Sequence, residues 1–279
     1  MIKEKTSSTK SAVVGFRFTF GFLLIFFSLV KANIHKVNLL INNVEMKKAI
    51  LNWSTGKDAA YALYKVQLEG EYKVERLITT VNDKVKRVSM HGVREELLLR
   101  QVKALGINGD IIYLNENSNM ADYESRIMNY WLESKNQGIK NSVFGDILLE
   151  ELKEHRENQL SVIDVNAVFP LWNTPTSLLI DEIIDSGIKA IVICVNEAFL
   201  DKSFIGRTID KQFVKDLPGN VDPCGENGEF HSFVYDSPNF REPVSFEIGE
   251  VVYKTYDISI KTDEEIEVKK FGYWFLDLL

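Results

Sequence analysis

The stretch WSTGKDAA, residues 53–60, follows the apolar run Ala49–Leu51 and precedes a segment with helical spacing of apolar residues. A glycine and a lysine at a strand-to-helix turn are typical of a phosphate-binding loop, because successive backbone N–H groups at a helix start can hold an anion. The same letters also fit a helix N-terminus capped by Ser54 or Thr55, with the lysine and the aspartate in solvent. The stretch alone leaves both interpretations open.

The spacing of this turn excludes two common nucleotide-binding motifs. A Walker loop requires a glycine five residues before Gly56 and a magnesium-binding hydroxyl after Lys57, but Leu51 and Asp58 stand at these positions. A dinucleotide fingerprint requires several glycines, of which this turn has one. What remains is a Ser-x-Gly-Lys-Asp turn after a strand.

The chain after this turn alternates apolar strand-like runs with helical periods. The predicted elements are strands at 47–53, 74–81, 110–114 and 142–147, and helices at 57–68, 93–105 and 120–137. This order predicts an α/β nucleotide-binding lobe with a doubly wound parallel sheet, whose ligands sit at the carboxyl ends of the strands.

A smaller α+β lobe is expected to follow the first one. Its predicted elements are strands at 167–172 and 189–196, helices at 176–187 and 206–217, and a hairpin or edge strands within 244–279. The expected lobes are 46–158 and 159–279. They should pack against each other, because no low-complexity linker separates them.

Charge and cysteine content limit the classes of function. The net charge is -7, and the first 45 residues hold six basic and two acidic residues, which leaves -11 for the rest of the 279-residue chain. A body this acidic argues against a nucleic-acid partner, because neutralising phosphates needs clustered Lys and Arg. Cys194 and Cys224 have no metal-ligand or redox spacing, which favours a reducing, cytoplasmic location.

The first 45 residues differ from the rest of the chain. The uncharged apolar run at 18–30 has about the length of a signal-peptide core, but no good small-x-small cleavage site follows it. A membrane span would have to include Arg17, which is costly at mid-bilayer. Three interpretations stay open: a signal peptide or membrane anchor, a start codon placed upstream of a true start at Met46, and a buried helix.

Five motifs, in chain order, carry a resemblance to a known family. They are the SxGKD turn; HGVREELLLRQVKALGI (91–107); FGDILLEELKEHRE (144–157); VFPLWNTPT (168–176) with LDKSFIGRTID (200–210); and DPCGENGEFHSFV (222–234). Together they resemble the diphthine-ammonia ligase family of the adenine nucleotide alpha hydrolase, or PP-loop, superfamily, over residues 46–279. The resemblance implies a HUP-like lobe that splits ATP into AMP and pyrophosphate. Thr55 and Ala59 depart from the family's Ser-Gly-Gly-Lys-Asp-Ser loop, which leaves weaker or altered ATP handling open.

The resemblance also implies a set of site residues. The nucleotide-binding positions are Ser54, Thr55, Gly56, Lys57, Asp58, His91 and Arg94. The catalytic positions are Lys57, Asp58, Glu226, Glu229 and His231. The substrate-binding positions are Gly145, Asp146, Asp201, Arg207, Asp222, Gly225, Glu226, Asn227 and Gly228.

The roles implied for these residues are electrostatic and acid–base. Lys57 would place a positive charge on the leaving pyrophosphate, and Asp58 would support Mg²⁺ or the loop itself. A carboxylate of the GENGEFH segment, or His231, would orient or deprotonate ammonium.

Several of these positions have an ordinary structural alternative. His91 and Arg94 could simply cap a helix, and the Asn-Gly pair at 227–228 could mark only a hairpin turn. Cys224 is expected to be structural rather than nucleophilic, because the chain shows no partner cysteine for sulfur transfer. Phe169–Trp172 should be wall or core.

The leading hypothesis is an ATP-dependent amide ligase that adenylates a carboxylate and amidates it with ammonia, with ATP and Mg²⁺ as cofactors. In the family this carboxylate belongs to diphthine on elongation factor 2 of eukaryotes and archaea, and a homodimer is an additional expectation. Another carboxylate substrate, an ATP pyrophosphatase and a non-catalytic adenine-nucleotide-binding module remain alternatives, the last favoured by Thr55 and Ala59. Transfer RNA thiolation fits poorly with the acidic body.

Overall fold

The computed structural model describes residues 45–115, 120–261 and 266–279, so the predictions for residues 1–44 lie outside its described part. From Lys47 onward the chain forms a single compact unit. Its elements are β1 Lys47–Asn52, α1 Lys57–Glu69, β2 Tyr72–Asn82, β3 Arg87–Val88, α2 Glu95–Leu105, β4 Asn108–Leu114, α3 Met120–Asn136, β5 Asn141–Val143, α4 Glu150–Ser161, β6 Asn166–Val168, α5 Thr176–Asp185, β7 Lys189–Asn196, a 3-10 turn Lys202–Phe204, α6 Lys211–Asp216, β8 Phe230–Asp236, β9 Ile248–Lys261 and β10 Ile266–Leu278.

The first sheet is mostly parallel. Its order is β3-β2-β1-β5-β6, with β4 also on β2, and only the short strand β3 runs antiparallel to its neighbour. Strand β6 extends this sheet beyond residue 158 by pairing with β5. The division into lobes at residue 158 stays a prediction.

Helices cover both faces of this sheet. Ala49 and Leu51 of β1 pack in a cluster with buried residues of α1 and α2, whereas Ile50 packs with Trp131 of α3 and Leu160 of α4. Alternate residues of a strand point to opposite faces, so two hydrophobic clusters enclose the sheet. The predicted α/β class with a doubly wound parallel sheet is confirmed.

The second sheet is antiparallel, with the order β8-β7-β10-β9. Strands β9 and β10 form the hairpin expected in the tail. The helix predicted at 206–217 is limited to α6, because Gly206 N donates to Val192 O (2.9 Å) and Ile209 N donates to Ala190 O (2.8 Å) along β7. Asp210 then caps α6 by accepting from Phe213 N at 2.7 Å.

The two sheets meet at the turn between β1 and α1. Val234 N of β8 donates to the Thr55 carbonyl (3.0 Å), and Lys57 N donates to Ser232 Oγ (3.1 Å). The carboxyl end of β1 therefore lies directly against β8. Among the described residues, no helix is both long enough and apolar enough to cross a membrane.

Candidate functional site

A cavity of about 440 Å³ opens where the carboxyl ends of β1 and β5 face the loop before β8. The sequence-predicted site residues that line it are Ser54, Lys57, Asp58, His91, Gly145, Asp146, Gly225, Glu226, Gly228 and His231. The predicted residues that are outside its lining are Thr55, Gly56, Arg94, Asp201, Arg207, Asp222, Asn227 and Glu229. Residues from both sheets thus share one cavity.

Two glycines allow the close packing around the start of α1. A Cβ on Gly56 would lie 2.8 Å from His91 Cε1, and a Cβ on Gly145 would lie 3.0 Å from Ala59 N. Real Cβ atoms do not approach other atoms this closely without displacing them. Glycine at these two positions therefore brings the β3–α2 turn and the end of β5 against the helix N-terminus.

Lys57 is a buried cation at the base of the cavity. Its Nζ donates to both carboxylate oxygens of Asp58 at 2.9 Å and to the carbonyl of Cys224. Burial, the largest single influence, lowers the pKa of Lys57, but the interactions with Asp58, Cys224 and Glu226 together outweigh it and the pKa is raised. The ammonium is therefore charged, and it joins the first loop to the loop before β8.

Glu226 has a partly buried carboxyl group with a raised pKa. Its Oε1 accepts from Ile147 N and Leu148 N, both at 3.3 Å. Burial raises the pKa of Glu226 to about 7, and the nearby negative charge of Asp58 contributes to the increase. A carboxyl group that titrates near neutral pH can act as a general base there.

Arg156 of α4 also lines the cavity, although no sequence argument singled it out. Its Nε lies 2.7 Å from Asp146 Oδ2, and its guanidinium lies 4.3 Å from the centre of the Phe144 ring. Burial raises the pKa of Asp146 even though Arg156 opposes this effect. The available sequence signal was the FGDILLEELKEHRE motif, which contains all three residues.

The rings of His91 and His231 lie against each other in a tilted arrangement on the cavity wall. Their ring centres are 4.8 Å apart with an angle of 30° between the planes. Burial lowers the pKa of His91 to about 4 and that of His231 to about 3. Both rings are therefore neutral at pH 7, and Lys57 is the cation beside them.

Glu229 and Asp222 lie outside the cavity lining and accept hydrogen bonds from the backbone of the loop before β8. Glu229 is 0% exposed and accepts from Asp222 N at 2.9 Å and from Asn227 N at 2.8 Å. Asp222 accepts from Cys224 N at 2.8 Å and from Thr176 Oγ1 at 2.6 Å. These carboxylates hold the backbone that presents Glu226 to the cavity.

Arg94, Asp201 and Arg207 lie away from the cavity. Arg94 Nη2 and Nε contact the carboxylate of Asp277 in β10 at 2.6 and 3.1 Å. Asp201 accepts from Ser203 N at 2.7 Å, and Arg207 pairs with Asp216 at 2.6 Å. Each of the three side chains therefore contacts a residue that is outside the cavity lining.

The described side chains could hold a magnesium ion only if a bound ligand supplied further oxygen atoms to it. Among the described residues, no group of three His, Cys, Asp or Glu side chains lies close enough to hold a metal ion. Mg²⁺ is usually bound through one or two carboxylates together with substrate phosphates and water. Asp58, whose side chain is 30% exposed at the cavity, can supply one such carboxylate.

Two family models and several curated relatives match parts of this chain. Family models for the N-terminal and C-terminal domains of diphthamide synthase match residues 46–162 and 175–266. The diphthine–ammonia ligases of Homo sapiens and Bos taurus are each 28% identical over 131 residues, which are 45% of this chain and 49% of theirs. That of Schizosaccharomyces pombe is 27% identical over 133 residues, 43% of this chain and 22% of its own. The chain spans about half the length of the mammalian relatives it matches.

Proposed function

Because this chain belongs to the diphthamide synthase family, we propose that it is an ATP-dependent amide ligase of the diphthine–ammonia ligase type. The observation that carries the proposal is that both matched domains contribute to one cavity. Lys57 and Asp58 come from the first domain, and Glu226 and His231 come from the second. One site can then hold ATP beside a carboxylate substrate.

The reaction would proceed in two displacements. A carboxylate oxygen of the substrate attacks the α-phosphorus of ATP, and pyrophosphate leaves. The ammonia nitrogen then attacks the acyl carbon, and AMP leaves as the C–N bond forms. The amine proton passes to the carboxylate of Glu226, whose pKa of about 7 suits this transfer.

The start of α1 and the Lys57 ammonium would stabilise the charge of the pyrophosphate group. Phosphate oxygens would replace Asp58 at Lys57 Nζ, and Asp58 would then be available to Mg²⁺. When bound, the ion would neutralise phosphate charge. The cavity needs this contribution because Asp58, Asp146 and Glu226 also face it.

The proposed substrate is a diphthine side chain on elongation factor 2, taken from the names of the relatives and from the resemblance in the motifs. A cytoplasmic location and a homodimer belong to the same proposal. The Gly145–Asp146 segment and Gly225–Gly228 line the cavity and would contact the substrate.

A second candidate is a nucleotide-binding module without ligase activity. The turn has Thr55 in place of glycine, and its Lys57 is already bonded to Asp58 and to the Cys224 carbonyl. These contacts would have to break before phosphate could bind. Nucleotide binding without AMP formation would favour this candidate.

The test is to incubate the protein with ATP, Mg²⁺, ammonium and diphthine-bearing elongation factor 2, and to measure AMP, pyrophosphate and amide. Lys57→Met should lower AMP formation at least about 100-fold, as loss of a preorganised charge does in other active sites. The exposed Lys103→Met is the matched control. Unfolding temperatures of both variants show whether each remains folded, and unchanged AMP formation in folded Lys57→Met would remove Lys57 from the mechanism.

A further inference from the structure

Gln101 lies in a buried polar network directly below the nucleotide-binding turn. It belongs to α2 and is 0% exposed. Its Oε1 accepts from Trp53 Nε1 at 2.8 Å. Its Nε2 donates to the Thr55 carbonyl at 3.1 Å and to the Val234 carbonyl at 2.6 Å. One side-chain amide therefore joins the end of β1, the turn and β8.

Thr55 has a backbone conformation that its side chain opposes. Its φ is 74°, in the left-handed region where a β-branched residue is a genuine outlier. Its Oγ1 is buried and has no hydrogen-bond partner among the described residues. Nothing that the Thr55 side chain does in the described structure favours this backbone conformation.

The Thr55 carbonyl, in contrast, is held from two sides. It accepts one hydrogen bond from Gln101 Nε2 (3.1 Å) and one from Val234 N (3.0 Å). A strained backbone conformation persists only where the surrounding structure fixes it. Because the β8 bond is part of the backbone, Gln101 is the side chain among these partners that a substitution can remove.

The orientation of the following residues depends on Thr55. A negative φ at this position would redirect the peptide groups of Gly56 and Lys57, which begin α1. Gly56 has no room to adjust, because even a Cβ there would meet His91 at 2.8 Å. A small rotation at Thr55 would therefore misalign the start of α1 and Lys57.

We propose that Gln101 is a positioning residue for nucleotide binding: its hydrogen bond to the Thr55 carbonyl keeps Thr55 in the left-handed conformation that the turn needs in order to bind phosphate. This inference rests on the proposed function, because it takes residues 54–58 as the nucleotide-binding turn. Gln101 itself does not line the cavity and acts through Thr55.

The test is a double-mutant cycle between Gln101→Met and Thr55→Gly. Methionine has a similar length but no N–H group, and glycine adopts positive φ without support. Gln101→Met should weaken the binding of Mg²⁺-ATP at least about 10-fold in the parent, but no more than about 3-fold in the Thr55→Gly background. Calorimetric titration gives the dissociation constants, and the exposed Gln212→Met serves as the matched control, with a change below about 2-fold.

A merely structural role of Gln101 predicts a different result. The loss of affinity would then be equal in the two backgrounds, and that outcome overturns the inference. Gln101→Leu, which likewise has no group that can donate to the Thr55 carbonyl, should repeat the pattern of Gln101→Met. This variant replaces Gln101→Met in the double-mutant cycle with Thr55→Gly if the methionine variant does not fold. Failure of the parent protein itself to bind ATP would refute the proposed function, whereas ATP binding that is insensitive to Gln101 refutes only this inference.

Discussion

Replacing Glu226 by glutamine should change the pH dependence of protein stability. The pKa of Glu226 is about 7 in the folded protein, against an ordinary value of 4.5, chiefly because of burial. The folded state then holds a proton that the unfolded state releases, so the parent loses stability as the pH rises from 4.5 to about 7. At ~1.4 kcal/mol per pH unit the full loss is about 3 kcal/mol, and solvent screening at this partly exposed group leaves about 2 kcal/mol.

Glutamine has no such proton, and its amide oxygen can still accept from Ile147 N and Leu148 N. Urea unfolding followed by tryptophan fluorescence should therefore show Glu226→Gln gaining about 2 kcal/mol relative to the parent between about pH 5 and about pH 8. The exposed Glu154→Gln should show no such gain. If the Glu226→Gln difference is the same at both pH values, the pKa of Glu226 is not raised in the folded protein, and the argument that its basicity is matched to neutral pH loses its support.

Three further outcomes follow from contacts in and around the site. Asp277→Asn should lower the unfolding temperature at neutral pH by about 3 °C, with ATP affinity unchanged. In the parent, the Arg94 hydrogen bond lowers the pKa of Asp277 from its ordinary value of 3.8 to about 2. The stability that this ion pair contributes is therefore present above pH 3.8 and should be lost in thermal scans as the pH falls toward 2. Gly145→Ala should weaken ATP binding about tenfold in calorimetric titration, because its Cβ would lie 3.0 Å from Ala59 N; an equal loss in Gly219→Ala, where a Cβ meets nothing within 4 Å, would contradict this. Cys224→Ala should leave pyrophosphate release within about threefold, because burial raises the pKa of this thiol and leaves it without thiolate character; a loss of about 100-fold would make the sulfur a participant.

Local pattern was sufficient to predict the elements around the turn. The apolar run before Trp53 and the helical spacing after Lys57 correspond to β1 and α1, and Gly106 ends α2 with a φ of 64° as a C-terminal glycine should. The strand expected at 142–147 stops at Val143. Its continuation is the segment where Gly145 packs against α1, a tertiary contact that strand periodicity does not encode.

Partners distant in sequence account for what the pattern missed. Arg94 is predicted near the nucleotide, but its guanidinium binds Asp277 of β10, a residue 183 positions later in the sequence. Gln101 could be assigned only to a helix face, because the three groups that surround its amide come from separate strands and loops. Arg156 was likewise recognisable only as part of a longer motif.

The contacts of the turn with β8 have a consequence for synthesis on the ribosome. Thr55 and Lys57 are bonded to Val234, Ser232 and Cys224, residues translated long after the turn has emerged. The turn can reach its native conformation only once β8 has been made, so competence for ATP should appear late in translation. An amino-terminal fragment that ends at residue 162, the limit of the first matched domain, would lack every one of these partners, and stalled nascent chains of that length should fail to retain ATP.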